Sequence, residues 1–443
     1  MDAAVRVWIR TCLTNFHITI IGVFMAAVST GVAYFSVMFL ELCHTSQWQE
    51  IYPKYELVRL YSNCIKDFII QISLPFALCL ITKFPLSEMR VLISNNVIAS
   101  CFIVIYNLVS HISHFYGSHK LFKTPLYVCF AIMLFHTTWI VASRIDCRRK
   151  GILKICVVLF AQYITVILFG CINFYVLTPI YLNLSPLFKF LTASFIPLIG
   201  YVCTIICNII IGSNADFVET DRVFTLTTSL SVVCVLLYRT YQTYIDNLQK
   251  YFLLSLIHAV ISFLERILSQ HMQSVVHCFL KKLKWRRRRC LAMANRWKIN
   301  RTNLIIVSMI VEIWAITVAN AFIMFYAFQK RIPFRDGKEF QFGDHVMDFA
   351  KKVSFSILLE FILNTMVILY LKSFFGMSIP NIWSRHWRFF TVIILLNTFV
   401  CTLYHAPSFA LTTAASFKIH MTQVGNVGLA NILTYCNSSY PPY

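Results

Sequence analysis

Acidic residues are few in this chain, and charge of either sign is sparse: 18 Asp and Glu stand against 39 Lys and Arg, and charged residues make up 13% of the 443. That leaves no room for a sizeable water-soluble domain. The longest polar interruption, residues 265–301, is shorter than an independent domain usually needs. Ordered cysteine is also missing. Sixteen cysteines lie mostly inside apolar stretches with no C-x-x-C pair, which argues against a disulfide framework or zinc site and for thiols used as small apolar groups. The chain carries no G-x-S-x-G, H-E-x-x-H, P-loop or paired Asp motif. No enzyme, metal site or organic cofactor is therefore predicted. His111, His114 and His119 cluster near the end of an apolar run with no carboxylate or thiolate partner evident, and are assigned to an interface rather than a metal.

What the chain has in abundance is long apolar runs. From Phe16 to Leu40 no residue carries a formal charge, a length that spans hydrocarbon as a helix. Comparable runs are Val91–Ser113, Thr124–Ser143, Ile155–Tyr175, Leu191–Ile211, Thr302–Phe328 and Val353–Leu371, with weaker ones at Phe68–Thr82, Val223–Tyr238, Tyr251–Leu264 and Phe389–Tyr404. A backbone in lipid must satisfy its own hydrogen bonds, and the pattern lacks the alternation of a barrel strand. The expectation is an all-α, polytopic membrane protein, a single integral domain over residues 1–443, with up to eleven apolar stretches; weak runs are interfacial or parts of helices reaching beyond the membrane. The first run is too long for a cleavable signal and lacks a small-residue cleavage site, which predicts a retained signal anchor.

Loop charges predict orientation. Arg6 and Arg10 precede the first run and Glu41, Glu50 and Glu56 follow it; further basic clusters are Arg144–Lys154 and Lys281–Arg289, the latter within a basic cytoplasmic loop over 265–301. Positive charge gathers on the cytoplasmic side, so the N-terminus is predicted inside and, with an odd number of spans, the C-terminus outside. The net charge of +21 is thereby assigned to inside loops and membrane lipid rather than nucleic acid. The run KKLKWRRRR at Lys281–Arg289 is compatible with anionic headgroups. Asn183-Leu184-Ser185 is a glycosylation sequon in a loop predicted outside.

Inside the runs, Glu312 lies mid-span with Asn320 two turns later, and Glu360 and Asn364 sit one turn apart. An ionised carboxylate at the bilayer centre costs several kcal/mol, so these side chains are expected to face protein or water. Two readings stay open for them: a cation path or ligand contact, and a protonated carboxyl hydrogen-bonded between helices.

From Leu396 the chain reads LNTFVCTLYHAPSFALTTAASFKIHMTQVGNVGLANILTY. This resembles the C-terminal signature of the insect-type gustatory and odorant receptor superfamily, FxxxLxHxPxxxTAxxFFxI leading into a last helix with TY. Phe399, Leu403, His405, Pro407, Ala414, Ala415, Phe417 and Ile419 fall at matching places, and Thr434 and Tyr435 take the TY positions. The resemblance covers residues 396–435. It implies a seven-helix chemoreceptor of inverted topology at the plasma membrane, acting as a homo- or hetero-tetrameric, ligand-gated, non-selective cation channel for small organic tastants. Thr434 and Tyr435 would then lie on the gate-lining helix. Pro441 and Pro442 stand where that family carries Gln-Phe, which predicts a last helix cut short or replaced.

Two other resemblances compete. LERILSQH at Leu264 and ANRWKINRTN at Ala294 are similar to motifs of nematode serpentine chemoreceptors, which are G-protein-coupled, but too few residues separate them for the intervening helix of that family. Asn381–Trp387 (NIWSRHW) followed by His405 is similar to the Asn and His of membrane-bound O-acyltransferases.

Overall fold

The computed structural model describes residues 3–38, 55–82, 86–112, 124–145, 149–172, 176–214, 222–245, 247–282, 287–330 and 342–424, with Val218 between. Among them every predicted apolar run is helix, and no strand occurs. The helices are α1 (Ala3–Ala33, continued by a π-helical turn, Tyr34–Met38), α2 (Tyr55–Thr82), α3 (Leu86–Ile112), α4 (Thr124–Ile145), α5 (Arg149–Ile172), α6 (Thr178–Asn183), α7 (Pro186–Asn214), α8 (Thr225–Thr243), α9 (Leu248–Lys282), α10 (Arg287–Lys330), α11 (Phe342–Phe375) and α12 (Ile379–Val424). The protein is an all-α polytopic membrane protein. Eight helices among the described residues are long and apolar enough to cross a membrane, one more than the layout implied by the C-terminal resemblance.

The apolar faces turned outward, such as Ile98, Phe102, Ile105 and Val109 on α3, are those a bilayer would cover. A helix that is apolar all round belongs in the interior, and α10 is that helix. From Arg301 to Asn320 every residue is buried except Ser308 and Thr317. Its neighbour α8 is buried at all but Ser229, Ser231 and Thr240, although Thr and Ser dilute its hydropathy. These hydroxyls bond locally: Thr227 and Thr228 donate to the Phe224 carbonyl at 3.1 Å, and Thr225 to that of Arg222 at 2.6 Å. A polar-looking run can thus be buried without leaving an unpaired group.

The segment predicted as a basic loop is in large part helix: α9 continues to Lys282 and α10 begins at Arg287. Lys and Arg are good helix formers, so polarity marks where the helices leave hydrocarbon, not where they end.

Small residues bring α1 against α10. Gly22, Ala26, Ser29 and Ala33 recur at three or four residues along α1, a spacing that lets backbones approach closely. Ser29 Oγ accepts a hydrogen bond from Trp314 Nε1 at 3.0 Å. A Cβ on Gly22 would meet Ile313 Cβ at 3.0 Å and the Ile310 carbonyl at 3.1 Å, whereas one on Gly31 would meet nothing within 4 Å. Gly22→Leu is therefore expected to destabilise the protein by about 1–3 kcal/mol through overpacking, and Gly31→Ala to leave it unchanged or slightly more stable. Thermal midpoints of the two purified variants check both.

Candidate functional site

Polar side chains recur at helical spacing within and at the edges of the apolar runs of four helices. On α9 they are Tyr251, Ser255, His258, Ser262 and Arg266; on α11, Lys352, Ser356, Glu360 and Asn364. Residues three and four apart share a helix face, so each set is one stripe. Ser308, Glu312 and Asn320 of α10 and Tyr238, Arg239 and Gln242 of α8 complete a polar seam where these helices meet.

At its centre are two arginines and two glutamates, each no more than 2% exposed. Arg239 Nε and Nη2 donate to Glu312 Oε2 at 3.1 and 2.8 Å. The same Nη2 donates to Glu360 Oε1 at 2.8 Å, and Nη1 to Gln242 Oε1 at 3.0 Å. Glu312 Oε1 accepts from the Tyr238 hydroxyl and from Ser262 Oγ, the latter at 3.1 Å. Arg266 donates to Asn364 Oδ1, and through Nε and Nη2 to Ser308 Oγ at 3.3 and 3.1 Å. Its Nη1 lies 3.8 Å from Glu360 Oε2, near enough for charge attraction but too far for a hydrogen bond.

Taken together, the cluster balances two positive charges against two negative ones. Removing charges from water costs several kcal/mol per ion, and the cost is offset only where geometry and accessory hydrogen bonds are good. Glu312 meets that condition with four donors. Both of its oxygens face donors, an arrangement that suits an ionised carboxylate turned toward protein rather than lipid. From Arg301 to Glu312 the helix rises about 16 Å, roughly half of a hydrocarbon core ~30 Å thick.

The seam continues along the helices. Gln242 Nε2 donates to Ser255 Oγ, and Ser255 and Ser356 share a hydrogen bond at 3.1 Å. Asn320 Nδ2 donates to Tyr251 Oη at 3.0 Å. His258 donates Nε2–H to the Ala193 carbonyl of α7 at 2.9 Å; a carbonyl has no proton to give, which fixes that nitrogen as the donor.

Beside the network a crevice opens between α7, α8, α9 and α10. Tyr201, Ser231, Tyr238, Leu304 and Ser308 form part of its wall, together with an ion pair between Glu265 Oε1 and Arg301 Nη2 at 2.6 Å. Ser308 is the first break in the burial of α10 after Arg301 because it faces this space.

All four intramembrane residues singled out in the sequence, Glu312, Asn320, Glu360 and Asn364, join the one seam. Thr434 and Tyr435 lie outside the described residues, as do His114 and His119. His405 is 4% exposed, its ring perpendicular to that of Tyr404 at 5.1 Å between centroids. Asn183 of the sequon is exposed at the end of α6. Among the described residues no group of His, Cys, Asp and Glu is arranged to hold a metal.

Sequence reasoning missed Arg239 and Arg266. Each follows shortly after an apolar run, Val223–Tyr238 or Tyr251–Leu264, and a charge there reads as the end of a span. The stripe on α9 was a legible signal, since polar residues spaced at one helical period inside an apolar run mark a face turned from lipid.

Comparison of the chain with protein-family models, with curated proteins and with solved structures finds no match.

Proposed function

We propose that this protein is a chemosensory membrane receptor of the gustatory type, gating a non-selective cation conductance at the plasma membrane when a small organic ligand binds. The observation that carries the reading is the buried Arg239–Glu312–Glu360–Arg266 cluster. An apolar core would hold four helices together at least as well, and intramembrane charge is a functional signal by default. Arg239 Nη2 already bridges two carboxylates at 2.8 Å each, and Arg266 stands 3.8 Å from the second of them. A small helix displacement would let Glu360 exchange one arginine for the other. Two arrangements of one network are what a ligand needs in order to shift a population, provided it binds one of them more tightly. The resemblance over residues 396–435 supplies the class of receptor and, with it, a tetramer whose last helices surround the pore.

The test joins topology to current. Tags at both termini in intact and permeabilised cells are expected to report an N-terminus inside and a C-terminus outside. Cells expressing the chain are expected to carry an inward current when sugars and bitter alkaloids are applied. Glu360→Gln, delivered to the surface, is expected to change the ligand concentration for half-maximal current by about tenfold, the equivalent of ~1.4 kcal/mol between the two states. An external N-terminus overturns the reading and favours a G-protein-coupled serpentine receptor. Both termini inside would match eight crossings and remove the pore assigned to the last helix.

A further inference from the structure

The crevice beside the charge network has a hydrogen-bonding character that its hydroxyl partners determine. Ser262 donates to Glu312 Oε1 at 3.1 Å, so the 2.6 Å contact between Tyr201 Oη and Ser262 Oγ must be a donation from the tyrosine. The Tyr238 proton is likewise committed to Glu312. Both phenol oxygens can therefore only accept toward the crevice. Ser308 is the opposite case. Arg266 Nε and Nη2 both donate to its oxygen, at 3.3 and 3.1 Å, which fills its acceptor positions, and among the described residues no group takes its proton. These three groups give the wall one donor, Ser308 O–H, and two acceptors, Tyr201 Oη and Tyr238 Oη; Thr204, whose hydroxyl donates to the Gly200 carbonyl at 2.9 Å, and Ser231 add acceptors only.

Around these three lie apolar surfaces: Pro197, Val235, Leu304 and Ile305. Ser231 adds no further donor, because its hydroxyl donates to the Thr227 carbonyl at 3.2 Å. The only charges on the wall, Glu265 and Arg301, neutralise each other at 2.6 Å. Small-molecule sites are mostly apolar with a few placed polar groups, and this wall has that character.

We infer that this crevice is a binding site for an alcohol, a single hydroxyl on a compact apolar body. A hydroxyl accepts from Ser308 and donates to a tyrosine oxygen with one atom. A ketone satisfies only the serine, a hydrocarbon neither, and an ion has no unpaired countercharge. The alcohol can reach the site from the bilayer, as a sterol, or from water, as a small free molecule. Its oxygen would sit two hydrogen bonds from Glu312 through Tyr238 and two from Arg266 through Ser308. Binding is read without any current, so this site stands or falls apart from the conductance proposed above.

The experiment uses the full chain in sterol-free phosphatidylcholine nanodiscs, with cyclohexanol, cyclohexanone and cyclohexane as probes and the thermal midpoint as readout. Saturating cyclohexanol is expected to raise the midpoint by about 2 °C or more, cyclohexanone less, and cyclohexane not at all. Ser308→Ala is expected to raise the cyclohexanol concentration required by about tenfold, the loss of one hydrogen bond. Ser231→Phe, whose ring fills the crevice and whose lost bond is local, is expected to abolish the shift. Adding cholesterol to the nanodiscs separates the sources: a higher midpoint with no further response to cyclohexanol identifies the membrane sterol, and an unchanged response identifies a free alcohol. A shift shared by cyclohexane, a cyclohexanol shift unaltered in both variants, or no shift in the unmodified protein overturns the inference.

Discussion

Arg239→Met is expected to destabilise the protein by about 3–5 kcal/mol, the effect of stranding a buried partner charge. The substitution keeps much of the arginine's apolar stem, so the loss reports charge rather than volume. It leaves Glu312 and Glu360 beside a single arginine, Arg266, and removes the four hydrogen bonds that Arg239 donates to Glu312, Glu360 and Gln242. Arg239→Lys is expected to recover less than half of the loss, because one ammonium cannot reproduce a planar fork aimed at three acceptors. Adding Glu312→Met to Arg239→Met restores the balance of charge. The double variant is then expected to lose at least ~1 kcal/mol less than the sum of its two single variants, the signature of residues that act as a pair. Thermal midpoints in one detergent, with surface delivery in cells as a second readout, decide the matter. Additive losses would mean that Arg239 and Glu312 contribute separately.

Much of the fold was legible because lipid imposes strong rules. Each of the eleven apolar runs, strong or weak, corresponds to a helix, since a backbone in hydrocarbon has few other ways to satisfy itself. The weak runs were misleading about depth. Val223–Tyr238 scores poorly because of its Thr and Ser, yet its helix is among the most buried, with those hydroxyls bonded to their own carbonyls. Boundaries were misleading for a related reason. Arg239 and Arg266 read as helix ends, when they are the countercharges that make Glu312 and Glu360 tolerable in the interior. The carboxylates stood out against apolar surroundings, whereas their partners were hidden at the edges of runs. Pairing across four helices is a tertiary fact, and no spacing along one chain segment encodes it. The crevice was not legible at all, because its wall is assembled from residues of four helices.

The two buried glutamates are expected to respond unequally to the same substitution. Glu312→Gln and Glu360→Gln each remove one negative charge and keep the shape of the side chain, so charge balance alone predicts equal effects. Hydrogen bonding predicts otherwise. Both oxygens of Glu312 face donors, Arg239 on one side and Tyr238 and Ser262 on the other. An amide that keeps its oxygen on Arg239 turns its N–H₂ to the Tyr238 and Ser262 hydroxyls, which can accept from it but lose the acceptor of their own protons, and an unmet buried group costs about 1–3 kcal/mol beyond the lost charge. Glu360 is different: Oε1 accepts from Arg239 at 2.8 Å, but Oε2 has only Arg266 Nη1 at 3.8 Å. Glutamine there keeps the first bond and places its N–H₂ where no donor is within hydrogen-bonding distance. Glu312→Gln is therefore expected to lower stability by about 3 kcal/mol or more and Glu360→Gln by roughly half of that, measured as thermal midpoints in the same detergent. The asymmetry has a functional consequence, since the carboxylate held by fewer bonds is the one able to change partners. Equal losses would mean that pooled charge, not the individual bonds, holds these helices, and Glu360 would lose its place as the mobile member of the network.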